Sequence, residues 1–266
     1  MDNIFIITKH IGEKMAKNAI ITGGSRGIGK AMALKLGELG YNVAINYRSD
    51  SSKQLTEDLV EEIKSEYGVE AIAVQADVSK FEDCKKLVEA TVEAFGEEID
   101  ALVNNAGIMD GMEPVGDVPD EVWDKVIAVN LTGPFMLCRS AVQMMLEQEE
   151  KGVIINIASG GGIGGGRAGT AYTASKFGLV GMSRNIAYMY APKGIRCNVI
   201  CPGGVATEIT MPNLNTEGWG RVSEGVRGFR IGDPKEIADL ALYLASPYAT
   251  LINGAVIPAD AGKSAW

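Results

Sequence analysis

Asn18-Ala19-Ile20-Ile21-Thr22-Gly23-Gly24-Ser25-Arg26-Gly27-Ile28-Gly29 opens the argument, with Lys30-Ala31-Met32-Ala33-Leu34-Lys35-Leu36-Gly37-Glu38-Leu39 directly behind it. The apolar run up to Thr22 reads as a buried strand, the glycines as a turn, and the stretch after Gly29 as a helix. Strand, glycine turn and helix is the context that a dinucleotide-binding loop requires. Glycines let the backbone turn tightly and approach a pyrophosphate, whose charge the helix N-terminus stabilises. The spacing is T-G-x-x-x-G-x-G, with three residues between the first two glycines of the fingerprint. That is a narrower signal than G-x-G-x-x-G.

Apolar runs recur near 18–22, 42–46, 70–75, 100–103, 153–157, 195–200 and 254–257. Amphipathic stretches near 52–66, 80–95, 120–149, 171–190 and 233–245 lie between them. Strands alternating with helices imply parallel pairing and right-handed crossovers. The expected fold is α/β: a Rossmann-type doubly wound parallel sheet of about seven strands, with helices on both faces. At 266 residues the chain suffices for one such domain, expected over 16–266, with residues 1–15 as an N-terminal tail. The segment 204–230 has mixed Thr, Asn, Gly and Trp and fits neither periodicity, which marks it as a candidate substrate loop.

Composition narrows the function. A net charge of −9 with scattered Lys and Arg disfavours nucleic acid. No run of about 20 apolar residues is present to span a membrane. Residues 1–14 lack a secretory pattern, so the cytoplasm is the expected compartment. His10 is the sole histidine, which excludes a Ser-His-Asp hydrolase and an imidazole metal site. Cys84, Cys138, Cys197 and Cys201 have neither zinc spacing nor a neighbouring histidine, and read as buried thiols.

Acid/base chemistry then falls to Tyr, Lys or carboxylates. In Ala171-Tyr172-Thr173-Ala174-Ser175-Lys176 the phenol and the ammonium are four residues apart, on one helix face. A free phenol titrates near ~10, and a neighbouring ammonium is expected to lower that value. Cofactor choice is read at the end of the second strand. Val43-Ala44-Ile45-Asn46 runs into Tyr47-Arg48-Ser49, with no carboxylate before Asp50. An NAD-selecting site usually carries an acid there. Arg48, Ser49 and Arg26 suit a 2′-phosphate instead. NADP(H) is therefore expected ahead of NAD(H), which stays open.

Taken in order, these residues resemble the short-chain dehydrogenase/reductase family. The resemblance runs from about residue 16 to the end. It rests on Thr22 to Gly29, Asp77, Asn104-Asn105-Ala106-Gly107, Asn130, Ser159 thirteen residues before Tyr172, Lys176, and Pro202-Gly203-Gly204-Val205-Ala206-Thr207. The resemblance implies a catalytic tetrad of Asn130, Ser159, Tyr172 and Lys176. It places Gly23, Ser25, Arg26, Gly27, Ile28 and Gly29 at the pyrophosphate. Tyr47, Arg48 and Ser49 fall at the adenine ribose, Asp77 and Val78 at the adenine, and Asn104, Ala106 and Gly107 along the ribose and central sheet. Lys176 would reach the nicotinamide ribose, and Pro202, Gly203, Val205 and Thr207 would hold the nicotinamide side.

Within the family the chain is similar to 3-oxoacyl-[acyl-carrier-protein] reductases, which implies a β-ketoacyl thioester and an acyl carrier protein as partner. A small ketone, sugar or polyol is the alternative. Arg139 and Arg167 are candidates for a basic docking patch. The intact tetrad disfavours a non-catalytic dinucleotide sensor. Gly160 to Gly166 is richer in glycine than the family's usual substrate wall. A homotetramer is the implied assembly, with Trp266 expected against a neighbour.

Overall fold

The structure, a computed structural model, describes residues 17–207 and 230–265. The expected tail, most of the expected substrate loop, His10 and Trp266 lie outside the described residues. Seven strands form one sheet: β1 (Lys17–Ile21), β2 (Tyr41–Tyr47), β3 (Ala71–Gln75), β4 (Ala101–Asn104), β5 (Val153–Ile157), β6 (Arg196–Pro202) and β7 (Val256–Ala259). Their spatial order is β3-β2-β1-β4-β5-β6-β7, and every neighbouring pair is parallel. The doubly wound architecture expected from the alternating runs is the one observed.

Alternation along each strand divides the core in two. Ile21, Ile45, Val103 and Ile155 point to the side of α1 (Gly27–Glu38), α2 (Lys53–Tyr67) and the helix Pro234–Ala245. Ile20, Ala44, Leu102 and Ile154 point to the side of α3 (Phe81–Phe95) and the helix Gly133–Glu147. With both faces covered, the strands need apolar residues at every position, which is why they read as continuous runs.

The stretch 120–149, expected as one helix, is not continuous. It comprises α4 (Asp120–Ile127), a π turn over Ala128–Thr132, and α5 (Gly133–Glu147). The widened turn contains Asn130, whose side chain is bonded to the loop after β4 rather than to its own helix. Among the described residues the remaining α-helices are α6 (Thr170–Tyr190) and α7 (Pro234–Ala245). Asp233 and Glu236 cap α7 reciprocally, and Pro234 fixes its first position.

Candidate active site

The strand order reverses between β1 and β4, and an open α/β sheet offers its crevice at such a switch point. The glycine turn after β1 and the Asn104–Gly107 turn after β4 meet there. Thr22 Oγ1 accepts the backbone N–H groups of Asn105 and Ala106, both at 3.0 Å. Asn105 Nδ2 donates to the carbonyls of Thr22 and Gly23, again at 3.0 Å. Asn46 Oδ1 accepts from Gly23 N. Gly23 and Gly27 adopt left-handed φ values of 61° and 54°, which an L side chain rarely tolerates. A methyl group at Gly29 would overlap the Gly23 carbonyl and stand 2.7 Å from Asn105 Nδ2.

Helix α1 begins in this turn with no side chain capping its first amides and no acidic residue in its first turn. Its positive end therefore faces the crevice uncompensated. A pyrophosphate fits that cradle in both shape and charge. Ser25 is buried within the turn and Ile28 is half-buried beside it.

Beyond β2, Tyr47 is buried, and Arg48 and Ser49 follow it without a carboxylate at the strand end. Arg26 Nη2 reaches Ser52 Oγ at 3.4 Å, and Ser49 Oγ lies 3.5 Å from the same oxygen. The structure thus brings Arg26 and Ser49 together through Ser52, a residue the sequence did not single out. Asp50 is occupied by Gln75. Asp77 Oδ1 accepts from the amide and hydroxyl of Ser79. Burial raises the Asp77 pKa, but the Ser79 bonds and the nearby charges of Arg48 and Lys80 outweigh it, leaving the carboxyl below its ordinary value. Val78 is buried, and its carbonyl packs where a Gly133 side chain would stand.

On the other side of the switch point, α6 presents Tyr172 and Lys176, 8% and 3% exposed. Lys176 Nζ donates to the Ile157 carbonyl at 2.9 Å and sits 5.6 Å from the centre of the Tyr172 ring. Burial pulls the ammonium down to about 8. Burial pushes the Tyr172 phenol above its ordinary value; Ser159 pulls it down, while Asp110 and Cys201 push it up. This corrects the expectation that the ammonium lowers the phenol. Nζ is directed to a carbonyl, and desolvation dominates at this depth.

Ser159 follows β5, and its Oγ accepts from Gly161 N at 3.1 Å. Asn130 exchanges two 2.9 Å bonds with the backbone of Ile108 and donates to Ser175 Oγ at 3.2 Å. A methyl group at Gly107 would lie 3.4 Å from Asn130 Oδ1 and 3.5 Å from Lys176 Nζ. The missing side chain leaves those two groups facing one small space.

A glycine turn at a switch point, with Ser159, Tyr172 and Lys176 converging beside it, agrees with the comparison to known proteins. The short chain dehydrogenase family matches residues 17–218. The chain belongs to that family. It is 42% identical over 254 residues to 3beta-hydroxysteroid dehydrogenase 2 of Eggerthella lenta, covering 94% of this chain and 95% of the relative. It is 38% identical over 249 residues to a 3-oxoacyl-[acyl-carrier-protein] reductase of Staphylococcus epidermidis, covering 93% and 99%. Among solved structures, a blue fluorescent protein from a metagenomic library, in complex with NADPH, superposes with a TM-score of 0.83 at 34% identity, covering 93% and 98%. This short-chain dehydrogenase is accordingly an NAD(P)-dependent oxidoreductase acting on CH–OH groups.

Other expected site residues of this dehydrogenase are placed less directly. Asn104 is buried, and its Nδ2 donates to Asn156 Oδ1 at 2.8 Å and to Cys138 Sγ at 3.2 Å, so its side chain ties the sheet together below the crevice. Ala106 lies against Gly23. Pro202 ends β6, and Gly203 has no room for a side chain against Asp260. Val205 bridges to Gly232, and Thr207 is the last described residue before 208–229. Arg139 is stacked on the rings of Phe81 and Phe135, and Arg167 Nη2 donates to the Lys263 carbonyl. Both candidate docking cations are thus partly engaged within the chain. Among the described residues no helix is long and apolar enough to cross a membrane.

Proposed function

We propose that this short-chain dehydrogenase is an NADP(H)-preferring enzyme that interconverts a carbonyl and a secondary alcohol, with Tyr172 as proton donor and acceptor. The arrangement that carries the reading is the convergence of Ser159, Tyr172 and Lys176 at the sheet's switch point, beside an uncapped helix N-terminus. The nicotinamide supplies or accepts the hydride when bound. The chain does the rest. The uncapped amides of α1 hold the pyrophosphate, and Arg26, Arg48, Ser49 and Ser52 meet a 2′-phosphate.

Ser159 orients the substrate oxygen, and Tyr172 delivers its phenolic proton there as charge develops. In the oxidation direction Tyr172 accepts that proton. Lys176, with a pKa near 8, stays largely protonated at neutral pH and fixes the ribose beside the phenol. The space at Gly107, faced by Asn130 Oδ1 and Lys176 Nζ, suits a water that resupplies the proton.

For the substrate, a 3-oxoacyl thioester is the first reading, supported by the 38% identical reductase and by the Tyr47–Ser49 strand end. A bulkier alicyclic ketone is the second. It is favoured by the glycine wall at 160–166, where added side chains at Gly165 and Gly166 would meet nothing, and by the hydroxysteroid dehydrogenase relative. NADPH and NADH oxidation, followed with acetoacetyl-CoA and separately with a 3-ketosteroid, distinguishes them. Turnover that prefers NADPH and is lost in Tyr172→Phe supports the core reading. An NADH preference would overturn the cofactor reading, and full turnover in Tyr172→Phe the catalytic one.

A further inference from the structure

Helix α6 has no cap of its own. Its N-cap residue is Gly169, which has no side chain to offer the first-turn amides. The missing acceptor comes from elsewhere in the chain. Asp110, 62 positions away in sequence and 3% exposed, accepts the Tyr172 backbone N–H through Oδ2 at 2.8 Å. Tyr172 is the third residue of α6, the position whose amide a capping side chain normally takes. Asp110 Oδ1 meanwhile accepts from Met112 N at 3.1 Å.

Two features show that this contact is built. Gly111 and Met112 both have left-handed φ values, 72° and 68°, so the loop turns sharply under Asp110. A methyl group at Gly169 would stand 2.6 Å from both Asp110 carboxylate oxygens and 2.6 Å from Glu113 N. The glycine at the N-cap is therefore what lets the remote carboxylate in. A second bond, from Thr170 N to the Glu113 carbonyl at 2.9 Å, docks the same loop on the same helical turn. Beyond the loop lies a cleft of about 440 Å³ lined by Met109, Gly111, Glu113, Asp117 and Val122.

We propose that Asp110 is a positioning residue for Tyr172, capping the first turn of α6 from the loop after β4 and so fixing where that turn holds the phenol. The proposal rests on the reading of Tyr172 as the proton donor. A carboxylate at a helix N-terminus gains from the helix dipole and from a charge-assisted bond. The groups facing the phenol are Ser159 beyond β5, Cys201 on β6, Lys176 on α6 and Asp110. The Asp110 carboxylate thus also opposes formation of the phenolate.

Asp110→Asn and Asp110→Ala test it by two measurements that need no turnover substrate. Amide exchange of a peptide spanning 170–176 should accelerate about tenfold or more in Asp110→Ala, the loss of one charge-assisted bond. A peptide from α7 should be unchanged. Phenol ionisation at 295 nm, taken as the difference from Tyr172→Phe, should move to lower pH in Asp110→Asn, which keeps one acceptor but no charge. Unaltered exchange at 170–176, or an unmoved titration, would overturn the proposal. Acceleration equal in both peptides would overturn it too, because the effect would then be global. Full turnover in Tyr172→Phe instead removes the catalytic reading and leaves the cap itself standing.

Discussion

Burial of the Lys176 ammonium carries a cost to stability. Its folded value of about 8 lies below the ordinary 10.5. Between those two values the unfolded chain binds a proton that the folded chain lacks, so stability rises with pH across that window. Below pH 8 both states are protonated and the cost is full, on the order of 3 kcal/mol. Lys176→Met should therefore raise the unfolding free energy at pH 7 by about 1–3 kcal/mol in urea titrations. The gain should fade as pH approaches 10.5, while turnover is lost. A less stable variant at pH 7 would mean that the bond to Ile157 outweighs desolvation. Gly107→Ala probes the neighbouring space. The added methyl makes ordinary contacts with Asn130 Oδ1 and Lys176 Nζ, so the fold should tolerate it. Turnover should fall about tenfold if a water there relays the proton. Unchanged turnover would rule that relay out.

At the scale of elements, what could be read from the sequence follows the range of the interaction. The turn between β1 and α1 was legible because its constraint is local: Gly23, Gly27 and Gly29 are where the backbone admits no side chain. Gly29→Ala should accordingly abolish NADPH binding in a fluorescence titration while leaving far-UV circular dichroism near normal, since the overlap lies in the loop and not in the sheet. Retained binding would show that the loop relaxes around the methyl. The Tyr172–Lys176 pair was legible for the same reason, being one turn of one helix. The break at Ala128–Thr132 was not. Gly133-Pro134 directly behind it signals a helix boundary, but the widened turn itself is fixed by Asn130, which bonds to Ile108, 22 positions earlier. The Asp110 cap escaped notice because its partner is 62 residues away, and so did Ser52, which links Arg26 to Ser49 only once β2 stands beside the glycine turn. The depth of Tyr172 reversed the expected pKa shift, because burial is set by the whole core and not by the neighbouring lysine.

For the whole molecule, a cofactor held as proposed would touch both halves of the parallel sheet. The glycine turn belongs to the β1–β2–β3 side of the switch point, and Tyr172 and Lys176 to the β4–β5–β6 side. A ligand that bridges them stabilises the fold by linkage, about 2.7 kcal/mol at a hundredfold excess over Kd. For a chain of this size that corresponds to a rise of roughly 5–10 °C in Tm. Under the proposed NADP(H) preference, NADPH should give that rise at concentrations where NADH gives less, its 2′-phosphate being the group that Arg26 and Arg48 would meet. If both arginines meet the 2′-phosphate, the double variant Arg26→Ala/Arg48→Ala removes two charge-assisted bonds, each worth about 1.5–3 kcal/mol. It should weaken NADPH at least tenfold and leave the NADH shift where it was. Equal loss with both cofactors would place the arginines at the pyrophosphate, and equal shifts in the unaltered protein would return the enzyme to NAD(H). Differential scanning fluorimetry with the two cofactors, run across a concentration series, decides among these outcomes without requiring the substrate to be known.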